Sequence, residues 1–279
     1  MCSSDLNVIA AGVTLLPTNE CEIVGSRVVA ANVARNAWVG MQTVEYLGAF
    51  LLSRPGMSTI GALPIISGGF GVFRRDALVR VGGFRHPSLG EDLDMAVRLH
   101  RSFREAKEPY RVIQVPDAIC WTELPSSCAV LRRQRIRWHR GLRQVIGDHR
   151  KVIANPRYGT FGLLGMANMY AFEWLAAFVE AVGYLLAVVL AVTGNLRVSG
   201  ALAFFGASQA VGVFLSVSAV RTAVRYLDVY RGGRNALRLL GWAVLMQFGY
   251  RQMTVLWRVR SLVGKNTGWG AMPRAGFSG

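Results

Sequence analysis

Cysteine, histidine and acidic residues are all scarce in this chain of 279 residues. The four cysteines have neither zinc-site spacing nor the density of a disulfide framework, which indicates a reducing compartment. The four histidines also lack metal-site spacing, so we expect surface or structural roles for them. No nucleophile elbow and no phosphate-binding loop signature occurs in the sequence.

Charge is sparse overall and strongly one-sided. Only 17% of residues are charged, 52% are hydrophobic, and the mean hydropathy of +0.31 is too high for a simple soluble domain. Lys and Arg outnumber Asp and Glu by 32 to 16, which would also suit a nucleic-acid-binding protein. Such a surface needs interleaved aromatic residues or a known module, and the sequence has neither. We therefore expect a lipid bilayer as partner and no nucleic acid.

Long apolar runs appear after residue 160. The run 161–192 is interrupted only by Glu173 and Glu180, and the run 198–220 has no charge, so together they predict a transmembrane hairpin over about 161–220. Each glutamate either pairs with a neighbouring arginine or lines a polar path through the bilayer. The arginine-rich loop 221–238 is expected on the cytoplasmic side.

A third apolar segment, 239–257, has basic residues on both flanks and in the tail that follows. An interfacial or re-entrant helix and a spanning helix both fit this pattern. We therefore predict two regions, a soluble part over residues 1–158 and a membrane region over residues 159–279.

The soluble part alternates strand-like and helix-like runs. Strands are predicted at 8–10, 13–16, 28–30, 64–66 and 111–115, and helices at 36–53, 74–81, 91–103 and 131–146. Repeated alternation of this kind predicts an α/β fold. The first strand starts at residue 7 with no helix or cap before it, so we expect the start of the domain to be missing.

An acidic motif, Gly90-Glu91-Asp92, begins the predicted helix 91–103. A carboxylate beside an acceptor hydroxyl can remove its proton during attack, which makes Asp92, with Glu91 beside it, a candidate general base. A structural explanation is equally strong at this stage. Ser88 and Glu91 have the spacing of a capping box, and acidic side chains suit a helix N-terminus.

A second motif, Gln134-Arg135-Ile136-Arg137-Trp138, lies on a strongly basic predicted helix. Offsets of three and four residues place Gln134, Arg137 and Trp138 on one face. An amide can bind a sugar hydroxyl, a guanidinium can grip phosphate through two hydrogen bonds, and an indole offers a flat surface to a sugar ring. Anionic lipid headgroups explain most of the other arginines on this helix.

A glycine-rich turn, Ser67-Gly68-Gly69, follows the predicted strand 64–66 and lets a ligand approach the backbone closely. In chain order, the run 66–78, then Gly82-Gly83-Phe84, then the acidic motif and the Gln134–Trp138 motif resemble membrane-bound family 2 glycosyltransferases. These enzymes include cellulose, chitin and hyaluronan synthases and bacterial exopolysaccharide enzymes. The resemblance covers roughly residues 7–260.

The resemblance implies a partial GT-A (Rossmann-like) domain followed by C-terminal transmembrane and interfacial helices. It also implies a nucleotide diphosphate sugar donor and inversion at the anomeric carbon. The acidic motif matches the family's catalytic position, the Gln134–Trp138 motif its acceptor and diphosphate contacts, and the glycine-rich turn a loop near the acceptor. The matching residues are Ser67, Gly68, Gly69, Glu91, Asp92, Gln134, Arg137 and Trp138.

Family members bind Mg²⁺ or Mn²⁺ through aspartates on earlier strands, including a DxD-type motif that does not occur here outside the acidic motif. We therefore expect the metal ligands to lie outside this chain, and this chain by itself to be inactive. Gly268-Trp269-Gly270 in the tail is a candidate gating segment over the site.

The resulting hypothesis is a multi-pass enzyme of the bacterial cytoplasmic membrane with its catalytic part in the cytosol. It would transfer a sugar from a nucleotide diphosphate sugar to a polysaccharide or lipid-linked acceptor. The alternative is a membrane transporter or scaffold with an anion-binding cytosolic domain. That alternative accounts for the hairpin and the basic loops but leaves the pairing of Asp92 with the Gln134–Trp138 motif to chance.

Overall fold

The computed structural model of the protein describes residues 7–85, 88–227, 229–230 and 232–263. The strands are β1 Val8–Pro17, β2 Glu22–Val24, β3 Arg27–Ala30, β4 Gly71–Phe73 and β5 Arg111–Thr122. The α-helices are α1 Ala37–Gly48, α2 Arg54–Thr59, α3 Arg75–Arg80, α4 Glu91–Glu105, α5 Cys128–Asp148, α6 Ala176–Val192, α7 Val198–Tyr226, α8 Gly233–Leu245 and α9 Tyr250–Arg260. The candidate gating segment 268–270 lies outside the described residues.

The chain forms two compact units that are interleaved along the sequence. The first unit comprises residues 1–16, 49–122 and 137–174, and the second comprises residues 17–48, 123–136 and 175–279. The sequence-based division between residues 158 and 159 stays a prediction.

The first unit contains a three-stranded sheet in the order β4-β1-β5. Strand β1 lies in the middle and runs antiparallel to β4, with Ala10 opposite Phe73. Its apolar run is buried along almost its whole length, as expected for a central strand covered on both faces. Helix α4 contributes Met95, Leu99 and Phe103 to the core against this sheet.

A second core of the first unit forms on another face of α4. Leu93 and Val97 pack there with Val145 from α5 and with Phe161 and Met166 from the following π-helical turn Phe161–Met166. Helix α4 is therefore apolar on two sides and is fixed by packing on both. Its N-terminus, which carries the acidic motif, is held in place by the same packing.

The second unit is mainly helical and includes the two-stranded β2-β3 ribbon. One of its cores joins Met41, Leu131, Tyr250 and Trp257 from helices α1, α5 and α9. The ring of Trp242 lies so close to Gly40 that a Cβ there would stand 2.3 Å from the indole nitrogen. Helix α8 therefore packs tightly against α1.

Two described segments, Phe161–Val192 and Val198–Tyr226, are long and apolar enough to cross a membrane. In the most apolar 18-residue stretch of each segment only 6% of the residues are buried within the protein, so most apolar side chains there face outward. Between α6 and α9, Glu180 accepts a hydrogen bond and ion pair from Arg251 at 3.2 Å. Pairing with an arginine, the simpler of the two expectations for this glutamate, is the arrangement found.

Several sequence-based element predictions are confirmed and three are wrong in detail. The α/β class, the helices near 74–81, 91–103 and 131–146 and the strand from residue 111 are all present. The two short strands predicted between residues 8 and 16 form one continuous strand, β1.

Pro64 and Ile66 are buried, as expected, and Ile65 is partly buried, but these residues form no strand. Pro64 has no N–H to donate to a sheet, and the carbonyl of Leu63 hydrogen-bonds His100 instead of a neighbouring strand. The segment 239–257 is also not one helix. It breaks after Leu245 and resumes at Tyr250, because Gly249 adopts a left-handed φ of 88° and ends the helical path.

Candidate active site

The carboxylate of Asp92 lies in the first turn of α4, directly beside the glycine-rich turn. Its Oδ2 accepts a hydrogen bond from the Gly68 N–H at 3.1 Å, and its Oδ1 accepts one from the Leu93 N–H at 2.9 Å. A Cβ on Gly68 would stand 3.5 Å from the same Oδ2. The structure thus brings together the glycine-rich turn and the acidic motif.

The capping box expected from Ser88 and Glu91 is not formed. The N-cap of α4 is Gly90, and no side chain caps this end of the helix. Ser88 lies two residues before the N-cap, which is too early to close the box. The capping-box prediction for Ser88 and Glu91 is therefore wrong, whereas the first turn of α4 is acidic, as the structural explanation also expected.

Asp94 is buried and forms the hydrogen bonds that fix the start of α4. The capping-box spacing had instead indicated a structural role at this helix end for Ser88 and Glu91. Asp94 accepts hydrogen bonds from Arg98 at 2.8 Å and from His149 at 2.9 Å. Burial alone would raise the pKa of the Asp94 carboxyl, but these hydrogen bonds outweigh it and the pKa lies below its usual value. Arg98 also donates to the carbonyls of Val81 and Gly83. This network fixes the first turns of α4 to the preceding loop.

Helix α5 approaches the start of α4 through two glycines. A Cβ on Gly141 would stand 2.8 Å from the backbone nitrogen of Gly90 and 2.9 Å from the carbonyl carbon of Leu89. The Oε1 of Gln144 accepts a hydrogen bond from the Leu89 N–H at 3.2 Å. Because residues four apart share a helix face, Arg137 lies on the side of α5 that meets the acidic motif.

The guanidinium of Arg137 is half-buried and close enough to the acidic motif to respond to its charge. Burial lowers the pKa of Arg137, while the carboxylates of Asp92 and Glu91 act in the opposite direction. The next residue, Trp138, keeps 39% of its surface exposed. A candidate base, a guanidinium and an accessible indole are thus all in the first unit.

Gln134 lies earlier on α5, in the part of this helix that belongs to the second unit. Its Oε1 is buried, and within the described part of the chain it has no hydrogen-bond partner. An unpaired buried acceptor costs about 1–3 kcal/mol, so a ligand hydroxyl at this atom would be favourable.

Sequence reasoning missed the role of Arg135, which lies next to Gln134. Arg135 forms an ion pair with Glu45 of α1 and a hydrogen bond with the hydroxyl of Tyr250 at 3.3 Å. Burial alone would lower the pKa of Arg135, but the charge of Glu45 outweighs it and the pKa is raised. No local signal marks this pairing, because its members are far apart along the chain.

A resident metal ion would need several oxygen or nitrogen ligands in one place. Over the described ranges 7–85, 88–227, 229–230 and 232–263, no group of three or more His, Cys, Asp or Glu side chains could supply them. The described residues therefore do not fit the Mg²⁺ or Mn²⁺ that the family resemblance implies.

Comparison with known proteins gives three findings. A family model described as "Glycosyl transferase family group 2" matches residues 6–217. Poly-beta-1,6-N-acetyl-D-glucosamine synthases from Staphylococcus aureus (strain COL) and Staphylococcus epidermidis are each 31% identical over 106 residues, which is 38% of this chain. The chain spans about a quarter of the length of these curated relatives, since the match covers 24% of them.

A solved structure is also similar in part. It is titled mannosyltransferase PcManGT from Pyrobaculum calidifontis in complex with GDP-Man and Mn²⁺. The sequence identity is 17% and the TM-score is 0.44, over 93% of this chain and 54% of that chain.

Proposed function

The chain belongs to glycosyl transferase family group 2, and we propose that it carries the acceptor-activating part of an inverting enzyme. Family membership confirms the enzyme class and the GT-A type of α/β fold that the sequence predicted. It also overturns the transporter or scaffold alternative. The reaction we propose moves a sugar from a nucleotide diphosphate sugar to a polysaccharide or lipid-linked acceptor. The observation that carries this proposal is the meeting of Asp92 and Arg137 at the contact between α4 and α5.

Asp92 is the proposed general base. The amides of Gly68 and Leu93 hold its two oxygens in place, and an ionised carboxylate keeps further lone pairs for an acceptor hydroxyl. The carboxylate takes the hydroxyl proton as the acceptor oxygen bonds to the anomeric carbon. The nucleoside diphosphate leaves from the opposite face, so the configuration at that carbon inverts. Glu91 adds a second negative charge beside the base.

Arg137 is the proposed partner of the leaving diphosphate. A guanidinium stays protonated even when it is half-buried, and it can hold phosphate oxygens through two parallel hydrogen bonds. Before the donor binds, the charges of Asp92 and Glu91 offset part of the cost of burying this cation, although burial dominates and its pKa is lowered. As the diphosphate departs, the guanidinium stabilises the charge that develops on it.

Sugar binding is assigned to neighbouring polar and aromatic groups. The exposed indole of Trp138 suits stacking against a sugar ring, and the unpaired Oε1 of Gln134 suits a sugar hydroxyl. Ser67, Gly68 and Gly69 would face the acceptor, since the Gly68 N–H binds the carboxylate of the proposed base.

The proposed setting is the cytoplasmic face of a bacterial inner membrane. The two candidate spans leave apolar surface facing outward. The segment 221–238 is not one loop, because α7 ends at Tyr226 and α8 begins at Gly233, but its arginines suit the cytoplasmic side. The staphylococcal relatives are named as synthases of a polysaccharide, which favours a polysaccharide acceptor over a lipid-linked one. The complete protein would use Mg²⁺ or Mn²⁺, held by ligands that the described residues do not supply.

Replacement of Asp92 tests the proposal directly. We expect Asp92→Asn to lower sugar transfer by about a hundredfold or more, because an amide cannot accept the hydroxyl proton. Transfer from nucleotide diphosphate sugars is measured in membranes of cells that express the complete open reading frame containing this chain. Asp76→Asn is the matched control, since Asp76 pairs with Arg74 at an exposed position. Near-normal transfer by Asp92→Asn would refute the assignment.

A further inference from the structure

A basic cavity lies within the second unit and contains none of the residues assigned to sugar transfer. Its volume is about 620 Å³. It is lined by Glu20, Asn32, Arg35, Arg234, Asn235 and Arg238. Three of these six side chains are cationic, one is anionic and two are amides. We refer to this feature as the basic cavity.

The cations of the basic cavity are not neutralised within the described part of the chain. No ion pair there joins Arg35, Arg234 or Arg238 to a carboxylate. The one acid, Glu20, uses its Oε1 to accept a hydrogen bond from the backbone N–H of Arg35 at 2.9 Å. Three guanidinium groups that converge on one cavity repel each other, and a bound anion would relieve this repulsion.

The wall of the basic cavity is held rigidly. On one face of α8, Asn235, Arg238 and Trp242 hydrogen-bond backbone atoms of residues 31–34 at 3.2–3.3 Å. Because Arg238 uses Nη1 for one of these bonds, its guanidinium is oriented while other N–H groups stay available. A site that is organised before binding loses less entropy when a ligand arrives.

The N-terminus of α8 also favours an anion in the basic cavity. This helix of 13 residues begins at Gly233, has no acidic residue in its first turn, and carries no side-chain cap. Arg234 and Asn235 lie in that first turn, so the N-terminus of α8 is next to the cavity. Helix N-termini favour bound anions.

We propose that the basic cavity binds a phosphate-bearing ligand, either a phosphomonoester headgroup or a diphosphate, through Arg35, Arg234 and Arg238. Planar guanidinium groups match phosphate oxygens in pairs, and three of them suit a group with more than one negative charge. The cavity is large enough for a phosphate together with the group attached to it. The same chemistry could come from a lipid headgroup or from a soluble phosphate.

Calorimetric titration of the purified full chain in detergent tests this proposal and separates the two sources. One arm uses inorganic pyrophosphate and the other uses short-chain phosphatidic acid. Whichever of the two ligands binds, we expect the double variant Arg35→Gln/Arg234→Gln to weaken its binding by about tenfold or more, which is about 1.4 kcal/mol. Both residues are exposed, so folding should be unaffected.

The matched control is Arg221→Gln/Arg225→Gln. It removes the same charge from exposed arginines near the end of α7, outside the basic cavity.

A second variant, Glu20→Gln, keeps an oxygen for the Arg35 N–H but removes the negative charge, so binding should become several-fold tighter. Pyrophosphate binding would identify a soluble phosphate as ligand, and binding of phosphatidic acid alone would identify a headgroup. Absence of binding in both arms, or equal weakening by the control pair, would overturn the proposal.

Discussion

Asp92 and Asp94 are two residues apart on α4 yet have different surroundings. Asp94 is almost fully buried and bound by a guanidinium and an imidazole, whereas among the described residues Asp92 accepts its hydrogen bonds from backbone N–H groups and stays partly accessible. Because a base must reach its substrate, Asp92 rather than Asp94 is the proposed base. A carboxylate enclosed by cations instead stabilises the helix that carries the base.

His100 gives a pH-dependent prediction at the residue scale. It is buried, its Nε2 donates to the carbonyl of Leu63 at 2.9 Å, its Nδ1 contacts the Tyr110 hydroxyl, and its ring stacks on Phe161 at 3.8 Å. Burial lowers the pKa of His100 to about 3. The unfolded chain takes up this proton near pH 6.5 and the folded chain does not, so stability falls as the pH drops below about 6.5.

We expect His100 to account for a loss on the order of 2 kcal/mol in the free energy of unfolding between pH 7.5 and pH 5. Urea unfolding in detergent at several pH values measures this loss. The variant His100→Gln should be less stable at pH 7.5 but should show a smaller loss on acidification. An identical pH dependence in both proteins would contradict the prediction.

The contact between α4 and α5 carries the prediction at the scale of elements. A Cβ on Gly141 would press on the backbone of Gly90 and Leu89, where no flexible side chain can yield. We expect Gly141→Ala to destabilise the protein by about 1–3 kcal/mol and to lower sugar transfer, because it pushes Arg137 away from the acidic motif.

The control for this prediction lies on the same helix. A Cβ on Gly147 would meet nothing within 4 Å, so Gly147→Ala should be neutral or slightly stabilising. Relative to the unsubstituted protein, Gly141→Ala should lower the thermal unfolding temperature and the sugar-transfer rate, whereas Gly147→Ala should leave both unchanged or raise the unfolding temperature slightly. Equal effects of the two substitutions would show that the close approach of the helices is unimportant.

Elements fixed by local pattern were predictable, and those fixed by distant partners were not. Helices α3 and α4 follow from their apolar spacing, and Gly82 ends α3 with a left-handed φ of 75°, as its position suggested. By contrast, β1 is one strand because β4 and β5, far away in sequence, pair with it. The glycine contact between α4 and α5 likewise has no signature in either helix alone. Motif order yields the candidate site residues, and packing determines that Asp92 lies beside the glycine-rich turn.

Membrane topology is the prediction for the whole molecule. Helices α6 and α7 are joined by the turn 193–197, and the arginine-rich segment 221–238 begins at the other end of α7. The turn and this segment should therefore lie on opposite sides of the bilayer. In a background with the native cysteines replaced by serine, Asn195→Cys should react with a membrane-impermeant maleimide in intact cells. Arg225→Cys should react only after the membrane is opened. Labelling of both positions from the same side would contradict the hairpin.

The central claim is that Asp92 and Arg137 act on one sugar-transfer reaction in one site. A double-mutant cycle of Asp92→Asn and Arg137→Gln, measured on transfer rates in membranes that contain the complete protein, tests this most directly. Residues that act as a unit show non-additive effects, so we predict that the double variant loses far less than the product of the two single losses. Fully multiplicative losses, or a single variant that transfers at the normal rate, would contradict the claim.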